Sequence, residues 1–236
     1  MDADLAYALE LADAADALTL TRFHARDFTV ETKADLTPVT DADLAVERML
    51  RERIARERPG EGVLGEEEGD DGGEIRWILD PIDGTRNFSR GVPIWATLIA
   101  LERAGRFVCG VVSAPALGRR WWASLGGGAF ASGMPMRVSE IGDLAQAAIS
   151  CTYGRDLAAL EPLVWHARGL GDFWSHMLVA EGALDAAVDA SLEVWDYAAV
   201  EPIVLEAGGR FVRAGGQWLS SNGLLHDAVV TALAVQ

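Results

Sequence analysis

Apolar residues recur at helical spacing through the first thirty positions of the chain. Leu5, Leu9, Ala12 and Ala15 fall on one face of a helix with a 3.6-residue repeat. The pattern therefore predicts an amphipathic helix that ends near Phe28.

A second helix is predicted from Asp41 to Glu57. Pro38 interrupts the preceding pattern, and Thr40 followed by Asp43 resembles a capped helix start. A Pro-Gly pair at 59–60 ends the segment. On this pattern alone, Thr40 and Asp41 need be no more than capping residues.

From Arg76 to Val138 the pattern changes to short apolar runs such as IRWILD, IWATLIALE and RFVCGVVSAP. These runs predict a mostly antiparallel sheet. After about Asp143, shorter strands alternate with helical segments, which is typical of an α/β arrangement. We therefore expect an N-terminal α+β part at residues 1–142 and a C-terminal α/β part at residues 143–236.

The chain has 236 residues and a formal net charge of −16, which restricts its partners. A surface this acidic repels polyanions, so we expect neither nucleic-acid nor membrane binding. The apolar stretch Leu5–Leu20 is interrupted by Asp13 and Asp16, so a soluble, cytoplasmic protein is expected. Cys109 and Cys151 are expected to be buried free thiols. An anionic small substrate would need bound cations to enter an acidic pocket.

The segment WILDPIDGTRNFSRG at 77–91 places two aspartates where a predicted strand ends. Gly84 permits a tight turn and a close approach of the backbone to a ligand. If a helical turn follows, the amides of Gly84 and Thr85 favour an anion. Asp80 and Asp83 would then hold a hard cation that binds phosphate. Alternatively, the two aspartates only shape a turn and cap a short helix.

Two other segments also place carboxylates at the expected edges of elements. They are GEE at 65–67 and WDYAA at 195–199. An unpaired charge among apolar or small neighbours is costly, and metal ligation offsets that cost. These segments therefore favour a metal site over a simple turn.

In order and approximate spacing, GEE, WILDPIDGTRNF and VWDYAA resemble the signature segments of the inositol monophosphatase family. This family consists of magnesium-dependent, lithium-sensitive phosphatases, and the resemblance covers roughly residues 30–215, including KADLTPVTDAD. It implies a layered αβαβα sandwich that combines the α+β and α/β parts. It also implies a small-molecule phosphate ester as substrate and a homodimer, to which IWATLIAL and RRWWA could contribute as exposed apolar strands.

Carried over residue by residue, the resemblance implies that two or three Mg²⁺ ions are bound by Glu66, Asp80, the main-chain carbonyl of Ile82, Asp83 and Asp196. It further implies that Glu66 and Thr85 orient a metal-bound water for in-line attack, with no phosphoenzyme.

Thr85 is expected near Asp41, and Asp41 with Lys33 matches the family's charged pair around the site. Glu67 is either a support for the ligands or an exposed acid.

The shared motifs do not select one phosphate ester, because the family includes phosphatases for inositol, histidinol, adenosine bisphosphate and fructose bisphosphate. The segments GVVSAPALGRRWWA and GDFWSHMLVAEGALDAAVDA resemble the histidinol-phosphate phosphatase branch more than the inositol branch. L-Histidinol phosphate, a substrate of histidine biosynthesis, is therefore the expected ester. Inositol 1-phosphate, or another sugar or nucleotide monophosphate, is the alternative, and a non-catalytic module that binds metal or anions is the alternative of another class.

Acidic or aromatic groups beside the metals would favour the ammonium and imidazole of histidinol phosphate. The residues expected to contact the substrate are Asp83, Gly84, Thr85, Asp189, Trp195 and Asp196. Asp189 occupies the position of the family's alcohol-recognising acid, and an aspartate there leaves room for a larger or cationic group. Asp172 is expected to cap a helix, with selection of the substrate as the alternative, and His176, like the other three histidines, is expected not to be catalytic.

Overall fold

The computed structural model describes residues 2–33, 38–152 and 158–234. Its helices are α1 (Ala3–Ala25), α2 (Asp41–Glu57), α3 (Thr85–Arg90), α4 (Asp172–Ala180), α5 (Val194–Tyr197), α6 (Val200–Glu206) and α7 (His226–Ala234). Its strands are β1 (Val30–Thr32), β2 (Pro38–Thr40), β3 (Gly62–Gly65), β4 (Gly69–Asp70), β5 (Ile75–Asp83), β6 (Ala96–Arg103), β7 (Arg106–Ala114), β8 (Arg119–Ser124), β9 (Gly128–Ala131), β10 (Met134–Pro135), β11 (Ala148–Cys151), β12 (His166–Arg168), β13 (Ala186–Asp189), β14 (Arg210–Ala214) and β15 (Gln217–Ser221).

The first two helices agree closely with the sequence pattern. Helix α1 ends at Ala25 rather than near Phe28, because Arg26 adopts a left-handed conformation with φ of 52° and stops the helix. Helix α2 has the predicted bounds. It begins with a capping box, in which the Thr40 side chain accepts from the Asp43 N–H and the Asp43 side chain accepts from the Thr40 N–H.

Within the described residues, the larger sheet has eight strands in the order β10-β9-β8-β7-β6-β5-β3-β4. Strands β3 and β5 run parallel, and the other neighbours in this sheet pair antiparallel. The prediction of a mostly antiparallel sheet between Arg76 and Val138 is therefore confirmed.

The smaller sheet has the order β12-β11-β13-β15-β14. Strand β11 is parallel to both β12 and β13, whereas β15 is antiparallel to β13 and β14. Helical segments separate most of these strands along the chain, as the pattern after Asp143 predicts. The division of the chain into parts at 1–142 and 143–236 stays a prediction.

Apolar clusters join the elements into five layers. Helices α1 and α2 pack on one face of the larger sheet through residues such as Leu11, Leu50 and Trp77. Helices α4 and α6 cover its other face, where Met177 and Ile203 join the cluster. Helix α4 also contacts β13 and β15 of the smaller sheet, and α7 packs beyond that sheet. The order helix, sheet, helix, sheet, helix is the expected αβαβα sandwich.

Burial changes one expectation about the surface. Strand β6 lies between β5 and β7, and its residues from Ala96 to Leu101 are buried. Trp121 on β8 is also buried. The expectation that IWATLIAL and RRWWA are exposed strands is therefore wrong, because both strands use their apolar side chains inside the sandwich. Cys109 and Cys151 are both buried, as predicted.

In the part of the chain that the structure describes, no helix has the length and apolar character needed to cross a membrane.

Candidate active site

Strand β5 delivers two aspartates to one cleft through an irregular end. Its pairing with β6 shifts register between Asp80 and Asp83. In a regular strand, residues three positions apart point to opposite faces, so this irregularity permits both carboxylates to lie in the same site. Asp80 Oδ1 accepts from the Ile82 N–H at 3.0 Å, which fixes the turn between them.

Gly84 connects the end of β5 to α3 in a conformation that favours glycine. Its φ is 86°, and a Cβ there would lie 3.1 Å from the Ile94 carbonyl oxygen. Helix α3 begins at the next residue, Thr85, so the predicted turn followed by a helical segment is confirmed. The close contact keeps the strand end and the helix start in one compact junction.

Thr85 is held by Asp43 from the start of α2. The Thr85 hydroxyl oxygen lies 2.9 Å from the Ile82 carbonyl oxygen and 3.3 Å from Asp43 Oδ1, so its proton can be donated to either acceptor. Asp43 is fully buried and also accepts from the Thr40 N–H at 2.9 Å. Burial raises the pKa of Asp43 to about 6, although its hydrogen bonds to Thr40 oppose the shift.

The expected contact between Thr85 and Asp41 is wrong. Asp41 Oδ2 lies 2.7 Å from Arg22 Nη2, and its Oδ1 accepts from the Thr29 N–H at 2.8 Å. Residues two apart at a helix start point in different directions, so Asp43 reaches the site whereas Asp41 ties α2 to α1. The expected pairing of Asp41 with Lys33 is also wrong, because Lys33 binds other acids.

Lys33 joins the two adjacent glutamates that follow β3. Its Nζ lies 2.7 Å from Glu66 Oε1 and 2.6 Å from Glu67 Oε1. Burial disfavours the charged lysine, but the hydrogen bonds to both glutamates outweigh it and raise the pKa of Lys33. Burial raises the pKa of Glu67 to about 7 despite Lys33. Glu67 is thus a buried partner of Lys33 rather than an exposed acid.

Glu47 holds the turn that carries Glu66. The Glu47 carboxylate is fully buried and accepts from the N–H groups of Glu67 and Glu68 at 2.8 and 2.9 Å. Arg51 Nε binds the same carboxylate at 2.9 Å. A Cβ at Gly65 would lie only 2.1 Å from Glu47 Oε1, so the glycine makes this packing possible.

Asp196 reaches the strand end from a helix that contacts β5. It lies on the short helix α5, where its Oδ2 accepts from the Glu193 N–H at 2.8 Å. Burial raises the pKa of Asp196 to about 7, and the negative charge of Glu66 adds to the shift. The carboxylate is therefore costly to ionise without a cation nearby.

Asp80, Asp83 and Asp196 form a cluster that can hold a metal ion. One carboxylate oxygen from each lies within 4.8 Å of the others. Burial, followed by neighbouring carboxylates, raises the pKa values of Asp80 and Asp83 well above the ordinary range. The structure records no lysine or arginine ion pair to these three acids among the residues it describes. An oxygen-only donor set without a cationic partner suits a hard divalent ion.

A cavity of about 350 Å³ opens beside this cluster. Its walls bring together the sequence-predicted ligands and substrate contacts, which are Glu66, Asp80, Ile82, Asp83, Gly84, Thr85, Asp189, Trp195 and Asp196. Lys33 and Asp41 do not line the described part of this cavity. Lys33 contacts it only indirectly, because it binds Glu66, which lies in the cavity wall. The volume suits a small phosphate ester.

Asp172 also faces the cavity, and the expectation that it caps a helix is wrong. Gly171 occupies the capping position of α4 and makes no side-chain capping bond, and Asp172 is the first residue of the helix. Instead, Asp83 Oδ2 accepts from the Phe173 N–H at 2.6 Å, and Asp172 Oδ2 lies 3.4 Å from Asn87 Nδ2. Burial raises the pKa of Asp172 to about 6, with Asp189 adding to the shift.

Asp189 stands at the end of β13, where it is only 3% exposed. It accepts a hydrogen bond from the Thr152 hydroxyl, and its Oδ2 lies 2.9 Å from His176 Nε2. His176 Nδ1 is in turn 2.8 Å from the Ser220 hydroxyl oxygen. A buried chain of polar groups therefore fixes the orientation of this acid.

A sequence profile described as "Inositol monophosphatase family" matches residues 1–234. The chain belongs to the inositol monophosphatase family. A protein of Mycobacterium tuberculosis named histidinol-phosphatase is 50% identical, with 98% of this chain and 97% of that protein covered. A histidinol-phosphatase of Streptomyces coelicolor is 47% identical, covering 96% of this chain and 95% of the other.

The solved structure of a Thermotoga maritima IMPase superposes on this inositol monophosphatase family member with a TM-score of 0.93. Its sequence identity is 32%, and the match covers 98% of this chain and 97% of the other. At this similarity, the layered fold of the two proteins is the same.

Sequence reasoning did not assign Asp43, Glu47 or Asp172 to the site. The sequence pattern assigns Asp43 only to a capping box, which it does form. Glu47 lies on the buried side of α2, and a glutamate at an apolar helix position is a signal that could have identified it. Asp172 gives a weaker signal, because an aspartate after glycine is common at ordinary helix starts.

Proposed function

We propose that this chain is a Mg²⁺-dependent phosphomonoesterase that hydrolyses L-histidinol phosphate to L-histidinol and phosphate. The observation that carries the proposal is the cluster of Asp80, Asp83 and Asp196 on the wall of a cavity of about 350 Å³. The histidinol-phosphatases similar to this chain over nearly their full length support the choice of ester.

In this proposal, Asp80, Asp83 and Asp196 bind the metal together with Glu66 and the Ile82 carbonyl. Their oxygen donors suit two or three Mg²⁺ ions. When bound, Mg²⁺ neutralises phosphate charge and lowers the pKa of water that it binds.

The chain's own groups orient the attacking water. Because Thr85 donates its proton to Asp43 or to the Ile82 carbonyl, its oxygen lone pairs can accept a hydrogen bond from water. Glu66 Oε1 is bonded to Lys33, which leaves Oε2 to accept the other water proton. The two residues thus align the water for in-line attack, Glu66 receives its proton, and a second water protonates the leaving alkoxide. Lys33 and Asp43 act by positioning these two groups.

The rest of the cavity binds the ester. The amides of Gly84 and Thr85 contact the phosphate, while Asp189 and Trp195 contact the alcohol. Burial of Asp189 against Thr152 and His176 restricts it to one orientation, which favours selective recognition.

Hydrolysis of inositol 1-phosphate is the second candidate, favoured by the structural similarity to an inositol monophosphatase. The two candidates share one mechanism and differ only in the alcohol. A non-catalytic binding module is a third possibility of another class, and it requires that no ester be hydrolysed.

The test is phosphate release by metal-free protein, before and after addition of Mg²⁺, from histidinol phosphate, inositol 1-phosphate and adenosine 3′,5′-bisphosphate. We expect Mg²⁺-dependent turnover with kcat/KM for histidinol phosphate about a hundredfold above the others, which corresponds to about 2.7 kcal/mol. A preference for inositol phosphate would retain the mechanism and reject the ester. No release from any ester would reject the enzyme.

The proposal also includes a homodimer, which the family resemblance implies, and a location in the cytoplasm, which the sequence pattern predicts. Sedimentation analysis of the purified chain tests the dimer, and a single monomeric species at micromolar concentration would reject it.

A further inference from the structure

The carboxylate of Asp172 lines the cavity near Asp189, the acid assigned above to the alcohol. It packs against Gly84, where a Cβ would lie 3.5 Å from Asp172 Oδ2, and its bond to Asn87 is long at 3.4 Å. The structure gives it no ion pair to lysine or arginine within the described residues. Arg86 and His176 lie near enough to favour its charged form, and both line the same cavity.

Asp189 is the second acid at this end of the cavity. Its Oδ2 is buried and has no hydrogen-bond donor in suitable alignment among the described residues, although His176 Nε2 is 2.9 Å away. Asp172 and Asp189 are close enough for their charges to repel each other. A cation placed beside both Asp172 and Asp189 would relieve this repulsion. This part of the cavity therefore favours a cationic group on the substrate.

We propose that Asp172, together with Asp189, binds the ammonium group of the substrate's alcohol and selects amino-alcohol phosphates over polyol phosphates. This inference rests on the proposed function, because it assigns the substrate class of the same cavity. An ammonium has three donors and can bridge both carboxylates. A polyol offers only neutral hydroxyl groups, which offset less of the repulsion between the two acids.

The substitution Asp172→Asn tests the inference with little change in backbone preference. Asp172 has a φ of 51°, and asparagine tolerates this left-handed conformation as well as aspartate does. The amide keeps the size of the side chain and removes only its charge. Glu140→Gln is the matched control, since Glu140 is exposed and lies outside the cavity.

Two substrates isolate the ammonium. Histidinol phosphate carries it, whereas 3-(imidazol-4-yl)propyl phosphate has the same skeleton without the amino group. Because a hydrogen bond to a charged group contributes about 1.5–3 kcal/mol, we expect the wild type to prefer the amino ester by about tenfold or more in kcat/KM. Asp172→Asn should lower kcat/KM about tenfold for the amino ester and less than about threefold for the other. Glu140→Gln should leave both values unchanged.

Equal losses on the two esters, or no wild-type preference between them, would overturn the inference while leaving the proposed phosphatase intact. Failure of the proposed function is separately visible, because the wild type would then release phosphate from neither ester. If Asp172→Asn does not fold, the wild-type comparison of the two esters still decides the result.

Discussion

At the scale of single residues, Asp41 and Asp43 lie two positions apart and make different contacts. Asp43 holds the Thr85 hydroxyl, whereas Asp41 is paired with Arg22 and its side chain is 44% exposed. Only Asp43 can therefore influence the alignment of the attacking water. The same substitution at both positions therefore compares an aspartate that contacts Thr85 with one that does not.

Asp43→Asn should lower kcat/KM by about ten- to a hundredfold, because it weakens a hydrogen bond to a charged group. Asp41→Asn should lower it by less than about threefold, since an exposed ion pair contributes little. Steady-state phosphate release measures both, with circular dichroism to verify folding. Equal effects of the two substitutions would show that Thr85 is not positioned through Asp43.

At the scale of elements, the β3 turn depends on close packing against α2. Gly65 has no side chain, and Glu47 fills the space beside it with a carboxylate bound to three donors. Any side chain at position 65 must displace that buried carboxylate. The turn carries Glu66, so its packing and the chemistry of the site are linked.

Gly65→Ala should destabilise the protein by about 1–3 kcal/mol, because it overpacks a buried site. It should also reduce turnover by moving Glu66. Gly142→Ala is the matched control, because nothing lies within 4 Å of a Cβ at that position. Urea unfolding of both variants measures the difference, and a Gly65→Ala protein as stable as the control would contradict this account of the turn.

Element types and most of the cavity wall could be predicted from sequence, but contacts between elements could not. The capping box at Thr40 and the turn at Gly84 are local, so their residues carry the signal. The partner of Thr85 depends on how α2 is rotated against β5, and this rotation makes Asp43 the partner instead of the expected Asp41. Asp172 reaches the cavity only through the packing of α4 beside α3, which no local pattern reports.

At the scale of the whole molecule, the metal-free protein keeps several acids in one buried place. Asp196 has a pKa of about 7, and the pKa values of Asp80 and Asp83 are also raised. The native state therefore binds more protons than the unfolded chain between the ordinary aspartate pKa and about pH 7. These acids therefore contribute no stability at neutral pH. Because they must ionise as the pH rises through that window, the free energy of unfolding falls.

Mg²⁺ should therefore stabilise the protein more at pH 8 than at pH 6. At pH 6 the ion must displace bound protons, which weakens its apparent affinity, whereas at pH 8 the acids are already ionised. The rise in Tm on addition of Mg²⁺ at the two pH values measures the effect. An equal rise at both values would contradict a metal site built on Asp80, Asp83 and Asp196.

The most direct test compares wild type and Asp83→Asn, with Mg²⁺ binding followed by calorimetry and phosphate release followed in the same samples. The substitution removes one charge from the cluster and keeps an oxygen that can accept from the Phe173 N–H. We expect a folded protein in which Mg²⁺ binding is weakened and turnover is abolished. Near-normal turnover with a full response to Mg²⁺ would contradict the assignment of this cluster as the catalytic metal site.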